Sequence, residues 1–305
     1  MLVRDGRVVL VTGKGGVGKT TVAAALALGV ARMGRRVLLC ETAGSTGVPR
    51  LFGRTGNRYQ PSELAPGLWT MSITSAAATE DYVVQQIRFR KLYHMVFRNR
   101  VMGPFLDAVP GLNDLIQLGA VWDMERKRER GRPMWDLIVV DAPATGHGLT
   151  LLHSPRAMMD LTVAGAFHEN AKLIAGLFED ASRTSLVLVS LPEELPVNET
   201  IELYRGLDDL QPLVRAVVLN EVQPCPVPDP AWYREHRDAL RAGANAAGVE
   251  AIDLADQGLI RYERQEEARR RLGTLGRPVV DLPFLYRREL GQEDLTSLAG
   301  SLVGL

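Results

Sequence analysis

The chain has 305 residues, 46% of them hydrophobic, with 36 Lys plus Arg against 36 Asp plus Glu and a formal net charge of zero. That balance gives no electrostatic preference for nucleic acid or an anionic membrane, and no apolar run reaches the ~18 residues of a membrane-spanning helix. Two cysteines, Cys40 and Cys225, stand far apart without a Cys-x-x-Cys pair, so a cysteine zinc site is not expected and a reducing cytoplasm is the default compartment.

In chain order, the first element is the apolar run Val8-Val9-Leu10-Val11, which predicts a strand over Val8–Thr12 and leaves little room before it for a signal peptide. Next comes Gly13-Lys14-Gly15-Gly16-Val17-Gly18-Lys19-Thr20-Thr21, followed by an Ala/Val/Leu-rich segment from Val22 to Met33 that predicts a helix. Strand, glycine loop, then helix is the setting in which a phosphate-binding loop is credible. The glycines let the backbone bring its N–H groups onto phosphate oxygens, and the helix adds the positive end of its dipole. Lys19 is placed to reach the β/γ-phosphates and the Thr20 hydroxyl to ligate Mg²⁺. The loop therefore predicts a bound nucleotide.

Further strands are predicted over Val37–Glu41 and Leu68–Ile73. The interval 77–130 then breaks the rhythm, with helix-like spacing at Val83/Ile87, at Leu92/Met95/Val96 and from Leu112 to Met124, but no clear strand. We expect a helical insertion there, its first half made basic by Arg88, Arg90, Lys91, Arg98 and Arg100 in a solvated face. The charge run Glu125–Arg132 is expected to be the exposed end of a helix. Leu137–Asp141 predicts a strand whose last residue, Asp141, stands where a Walker B acid would hold Mg²⁺ opposite Thr20. The segment Ala142-Pro143-Ala144-Thr145-Gly146-His147-Gly148-Leu149 reads as a small-residue loop able to move with the γ-phosphate, with His147 relaying the change.

Strands over Ser185–Ser190, Ala216–Asn220 and Val279–Leu282 complete the set. Several of these strands are continuous Val/Leu/Ile runs, as strands covered on both faces require. Helices between them imply crossovers and a mostly parallel twisted sheet, with ligands beyond the carboxyl ends of its strands. The expected fold is a three-layer α/β P-loop domain spanning 1–305, with the short insertion at 77–130 within it.

Particular residues carry a resemblance. Lys14 inside the glycine loop resembles the signature lysine of the deviant Walker A group, which includes MinD, ParA and the nitrogenase iron protein. Asp141 to Leu149 is similar to the switch II motif of the ArsA / tail-anchored-protein-targeting ATPase family. Pro110-Gly111-Leu112-Asn113-Asp114-Leu115, the Pro192…Glu199-Thr200 stretch, Leu219-Asn220 and Leu282-Pro283-Phe284-Leu285 resemble further segments of that family. The resemblance implies a dimeric ATPase using ATP and Mg²⁺, either a homodimer or a heterodimer with a related ATPase. It also implies that Asn220, Pro283 and Phe284 lie at the adenine, and that Lys14 reaches across to the partner's nucleotide as an arginine finger does. Asp141, Pro143, Thr145, Gly146 and His147 would form switch II.

The chain departs from that pattern in switch I, Cys40-Glu41-Thr42-Ala43-Gly44. Family members usually carry a water-orienting Asp at the position of Ala43, whose methyl group can neither accept a proton nor hold water. Three readings follow: Glu41 takes over that task, the chain turns over slowly or not at all, or a related subunit supplies a complete switch. The cysteines of the arsenite-pump subunit and a long methionine-rich subdomain are also missing; Met95, Met102 and Met124 are sparse. The client is therefore not named by the sequence. No Asn-Lys-x-Asp motif supports guanine; Asn220-Glu221-Val222 lacks the lysine and the acid.

Overall fold

The computed structural model describes residues 6–42, 47–56, 59–74, 77–78 and 111–304. Ten strands and nine α-helices are defined among them. Strand β1 (Val8–Gly13) leads through the glycine loop into α1 (Lys19–Arg32), and β2 (Val37–Thr42) is followed by the short α2 (Gly47–Leu51). Then come β3 (Ser62–Ala65), β4 (Leu68–Ile73), α3 (Leu112–Arg126), and the two short strands β5 (Arg128–Glu129) and β6 (Arg132–Pro133). Strand β7 (Leu137–Ala144) runs into α4 (Thr145–Leu161), with α5 (Ala166–Phe178) behind it. The rest is β8 (Thr184–Ser190), α6 (Glu194–Gly206), β9 (Val214–Val222), α7 (Pro230–Ala242), α8 (Ala246–Gly273), β10 (Val279–Pro283) and α9 (Gln292–Leu302).

Eight strands form one sheet in the order β10-β9-β8-β1-β7-β2-β4-β3, parallel throughout except for the antiparallel edge pair β3–β4. Alternate residues of each strand enter two separate apolar cores. Val9, Val11, Leu39, Val139 and Val187 face α1 and α9, whereas Val8, Leu10, Leu38, Ile138 and Leu186 face α3, α4, α5 and α6. Coverage on both faces is why these strands read as unbroken apolar runs. Every residue of α1 from Val22 to Ala31 is buried, since the helix is enclosed by the sheet on one side and α9 on the other. The result is the three-layer α/β arrangement expected, and it puts the glycine loop at the carboxyl ends of the central strands.

All seven expected strands are present, six of them within two residues of their expected limits and the seventh, β7, running three residues further to Ala144. Strand β3 was not expected, because its first two residues are exposed and it pairs only at the edge. Of the interval 77–130, residues 79–110 lie outside the described residues, and with them Met95, Met102 and the basic first half. Two expectations are corrected. The run Glu125–Arg132 is exposed from Arg126 onward as expected, but it is a helix end only as far as Arg126: beyond it β5 and β6 form a hairpin turning through Arg130 and Gly131, both at positive φ. Glu125 itself is only 4% exposed, accepting ion pairs from Arg7 and Arg183 at 3.4 and 3.1 Å. The segment after Asp141 is not a loop either. Strand β7 continues to Ala144 because Gly13 pairs with Ala144, and α4 begins at the next residue.

Helices α7 and α8 form a hairpin between β9 and β10, with a small core of its own around Tyr233, Ile252 and Leu259. Asp229 caps α7 by accepting from Ala231 N and Trp232 N, and Asn245 caps α8 by accepting from Gly248 N. The last third of α8 returns to the main body, where Ala268 and Leu272 join the larger core.

Among the described residues no helix is long and apolar enough to cross a membrane.

Candidate functional site

The glycine loop leaves β1 at Gly13, where a side chain would overlap the carbonyl oxygen of Val189 on the neighbouring strand. Lys14, Gly15 and Gly16 face outward, Val17 is pinned in the core beneath α1, and Gly18 precedes the helix at φ 88°. A side chain at Gly18 would also overlap the Asn220 amide, so chain direction and close approach both demand glycine there. Lys19, Thr20 and Thr21 form the first turn of α1. The Lys19 ammonium curls back to donate to Lys14 O at 2.7 Å. Burial lowers its pKa, with the Asp141 charge opposing that shift.

Strand β7 delivers Asp141 to the same place. Thr20 Oγ1 donates to Asp141 Oδ2 at 2.6 Å, joining two residues 121 positions apart. Asp141 is buried, and its second oxygen, Oδ1, has no hydrogen-bond partner among the described residues. Burial, reinforced by the Glu41 charge, pushes its pKa up to about 6, against the Thr20 bond and the Lys19 charge. A hydroxyl and a carboxylate with one unused buried oxygen are hard donors of the kind Mg²⁺ takes. The residues present therefore fit that ion.

Glu41, at the end of β2, is fully buried and its Oε1 accepts from the backbone N–H of Val48 at 2.9 Å. The side chain is thus turned onto the first turn of α2. Ala43 lies outside the described residues. In the segment after Asp141, Pro143 O accepts a long hydrogen bond from Thr12 Oγ1 at 3.5 Å. Thr145, Gly146 and His147 occupy the first turn of α4. A Cβ at Gly148 would lie 2.6 Å from Thr12 Oγ1, so the start of α4 is packed directly on β1.

Lys14 has a partner within the chain. Lys14 Nζ donates to Glu199 Oε1 at 2.7 Å, both side chains being about a quarter exposed (25% and 28%). Glu199 belongs to α6, so this pair ties the loop to the helix that follows β8. On the other side, Asn220 Nδ2 donates to Val17 O at 3.0 Å. Pro283 ends β10, and Phe284 N donates to Val222 O at 2.9 Å. Glu193, Glu221, Phe284 and α8 residues from Ile260 to Arg271 line a cleft of about 1030 Å³. The structure thus gathers Lys14, Lys19, Thr20 and Asp141 at one end and Asn220 and Phe284 at the other. Nothing in the sequence around Glu199 marks it as the partner of Lys14, 185 positions away.

A family model described as anion-transporting ATPase matches residues 6–170. The chain is similar to ATPase BagA of Mycobacterium tuberculosis, at 31% identity over 302 residues covering 91% of this chain and 87% of that one. It is also similar to an arsenical pump-driving ATPase of Escherichia coli, at 25% identity over 321 residues. That match covers 95% of this chain but 48% of the relative, so the chain spans about half that protein's length.

Proposed function

The chain belongs to the ArsA family of anion-transporting ATPases, and from that premise we propose that it is a Mg·ATP-dependent dimeric switch acting on a partner protein or an anion-transport partner. The observation that carries this reading is the Thr20–Asp141 bond beside the glycine loop, with Asp141 Oδ1 left over in a buried site. In this reading the loop from Gly13 to Thr21 wraps the phosphates, Lys19 leaves the Lys14 carbonyl for the β/γ-phosphates, and Thr20 and Asp141 hold Mg²⁺. The ion supplies charge neutralisation at the phosphates when bound. Asn220, Pro283 and Phe284 take the adenine. Lys14 exchanges Glu199 for the nucleotide of a second subunit, and Pro143 to His147 carry the loss of the γ-phosphate into α4.

Turnover of Mg·ATP by the purified chain tests this. Lys19→Ala should abolish both binding and turnover. Lys14→Ala should lower turnover by about 10²-fold or more while nucleotide affinity changes little, as for loss of a group acting on transition-state charge. Equal loss of binding and turnover in Lys14→Ala would remove the cross-subunit role.

A second reading rests on switch I. Glu41 accepts from Val48 N, and the next candidate position is Ala43, whose methyl group cannot accept a hydrogen bond from the attacking water. On that reading the protein is a nucleotide-binding regulatory subunit with little hydrolysis, paired with an active relative. Tight ATP binding without turnover at high protein concentration would favour it.

A further inference from the structure

Helix α8 reaches the end of β9, next to Asn220, through the buried side chain of Gln265. Gln265 is 3% exposed, and its amide makes two bonds to a single residue of the loop after β9. Gln223 N donates to Gln265 Oε1 at 2.8 Å, and Gln265 Nε2 donates to Gln223 O at 2.8 Å. A buried amide is stable only when its donor and acceptor are both satisfied, and here this one backbone unit engages both.

The end of β9 that Gln265 holds is constrained. Asn220, Glu221, Val222 and Gln223 are consecutive, and Glu221 sits at φ 61°, in the left-handed region unfavourable for a non-glycine residue. Such a conformation persists only where its neighbours fix it. Three ties do so: Asn220 Nδ2 to Val17 O, Phe284 N to Val222 O, and the double bond to Gln265. Of these, only Gln265 comes from a helix that takes no part in the glycine loop or the β10 turn.

We infer that Gln265 is a positioning residue for nucleotide-base recognition: by clamping Gln223 it fixes where Asn220 and Phe284 stand, and so sets affinity for the base rather than for the phosphates. The inference rests on the proposal that ATP binds at this loop. Its distinguishing consequence is that losing the clamp harms ligands with a base and spares ligands without one. A general loss of structure would weaken both alike.

The test is calorimetric titration of the full chain with Mg·ATP, Mg·GTP and Mg·tripolyphosphate, in wild type, Gln265→Met and Gln265→Glu. Met keeps the volume and removes both bonds; Glu keeps the acceptor for Gln223 N and removes the donor. Loss of two buried hydrogen bonds predicts an ATP affinity lower by about tenfold in Gln265→Met, with tripolyphosphate changed by less than about twofold and a smaller ATP/GTP ratio. Gln265→Glu should fall between Gln265→Met and wild type. Equal weakening of ATP and tripolyphosphate, or no change in either, would overturn the inference. So would failure of both variants to melt cooperatively, since the residue would then be a structural support. If wild type binds no ATP, the underlying reading fails, and that is seen before any variant is made.

Discussion

Asp141 is a carboxylate in a place that disfavours its charge. It is 5% exposed, Glu41 adds repulsion, and Oδ1 has no hydrogen bond among the described residues. With a pKa near 6 in the folded protein against an ordinary value near 3.8, the native state keeps a proton that the unfolded chain has already released. The sign follows: between those values the folded form binds more protons, so this group's contribution to stability is present below about pH 4 and is lost as pH rises through about 6. Asp141→Asn keeps an acceptor for Thr20 and removes the charge. In metal-free protein it should raise stability at pH 7.5 by about 1–3 kcal/mol, and the gain should shrink toward zero near pH 4. Urea titrations with a chelator at several pH values would measure it. An Asn variant no more stable than wild type at pH 7.5 would show that the charge is better accommodated than its surroundings suggest.

At the scale of elements, Glu125 joins three separate parts of the fold. It lies at the end of α3, Arg7 precedes β1 and Arg183 precedes β8, and the two guanidiniums share the one buried carboxylate. Arg7 also donates to the Glu125 carbonyl at 3.4 Å. Both arginines are partly exposed and can rehydrate, so Glu125→Ala should cost about 1–3 kcal/mol rather than the larger loss of a fully buried pair. Chemical denaturation would read this, with nucleotide affinity unchanged because the cluster lies at the opposite end of the strands from the glycine loop. An unchanged midpoint would mean the pairing is worth no more than a surface contact. This cluster also shows what the sequence could and could not reveal. Strands were legible because each is a local apolar run, the glycine loop and Thr20 because they follow β1 directly, and Asp141 because it closes the apolar part of β7. Glu125 looked solvated because its neighbours Arg126, Lys127 and Arg128 are charged, while Arg7, which buries it, is 118 positions away. Lys14 and Glu199 are 185 positions apart, and Gln223 and Gln265 are 42 apart across a helical hairpin. Pairings of that kind have no local periodicity, so they become visible only when the sheet order is known.

For the whole molecule, the question is whether one chain is a complete machine. In the single chain, Lys14 is committed to Glu199 of its own α6, which keeps its ammonium from projecting toward a partner. That pair is a quarter exposed, and pairs of this kind are worth about 0–1 kcal/mol. Charge-assisted bonds to a triphosphate are stronger than neutral ones and concentrate several acceptors at one point. On the proposed reading, a second subunit presenting Mg·ATP would offer Lys14 more than Glu199 does, and one presenting ADP, with one phosphate fewer, would offer less than ATP. From this we expect the mass in solution to double with Mg·ATP and to remain that of one chain with Mg·ADP or without nucleotide. Lys14→Ala should stay a single chain in all three conditions while still binding ATP. Light scattering after size exclusion, at fixed protein concentration, would decide it. One mass in every nucleotide state, both for this chain alone and for a mixture with a related ATPase, would mean that Lys14 does not leave Glu199 for another subunit. Doubling only in the mixture would assign the second site to that relative, one of the three arrangements that Ala43 leaves open.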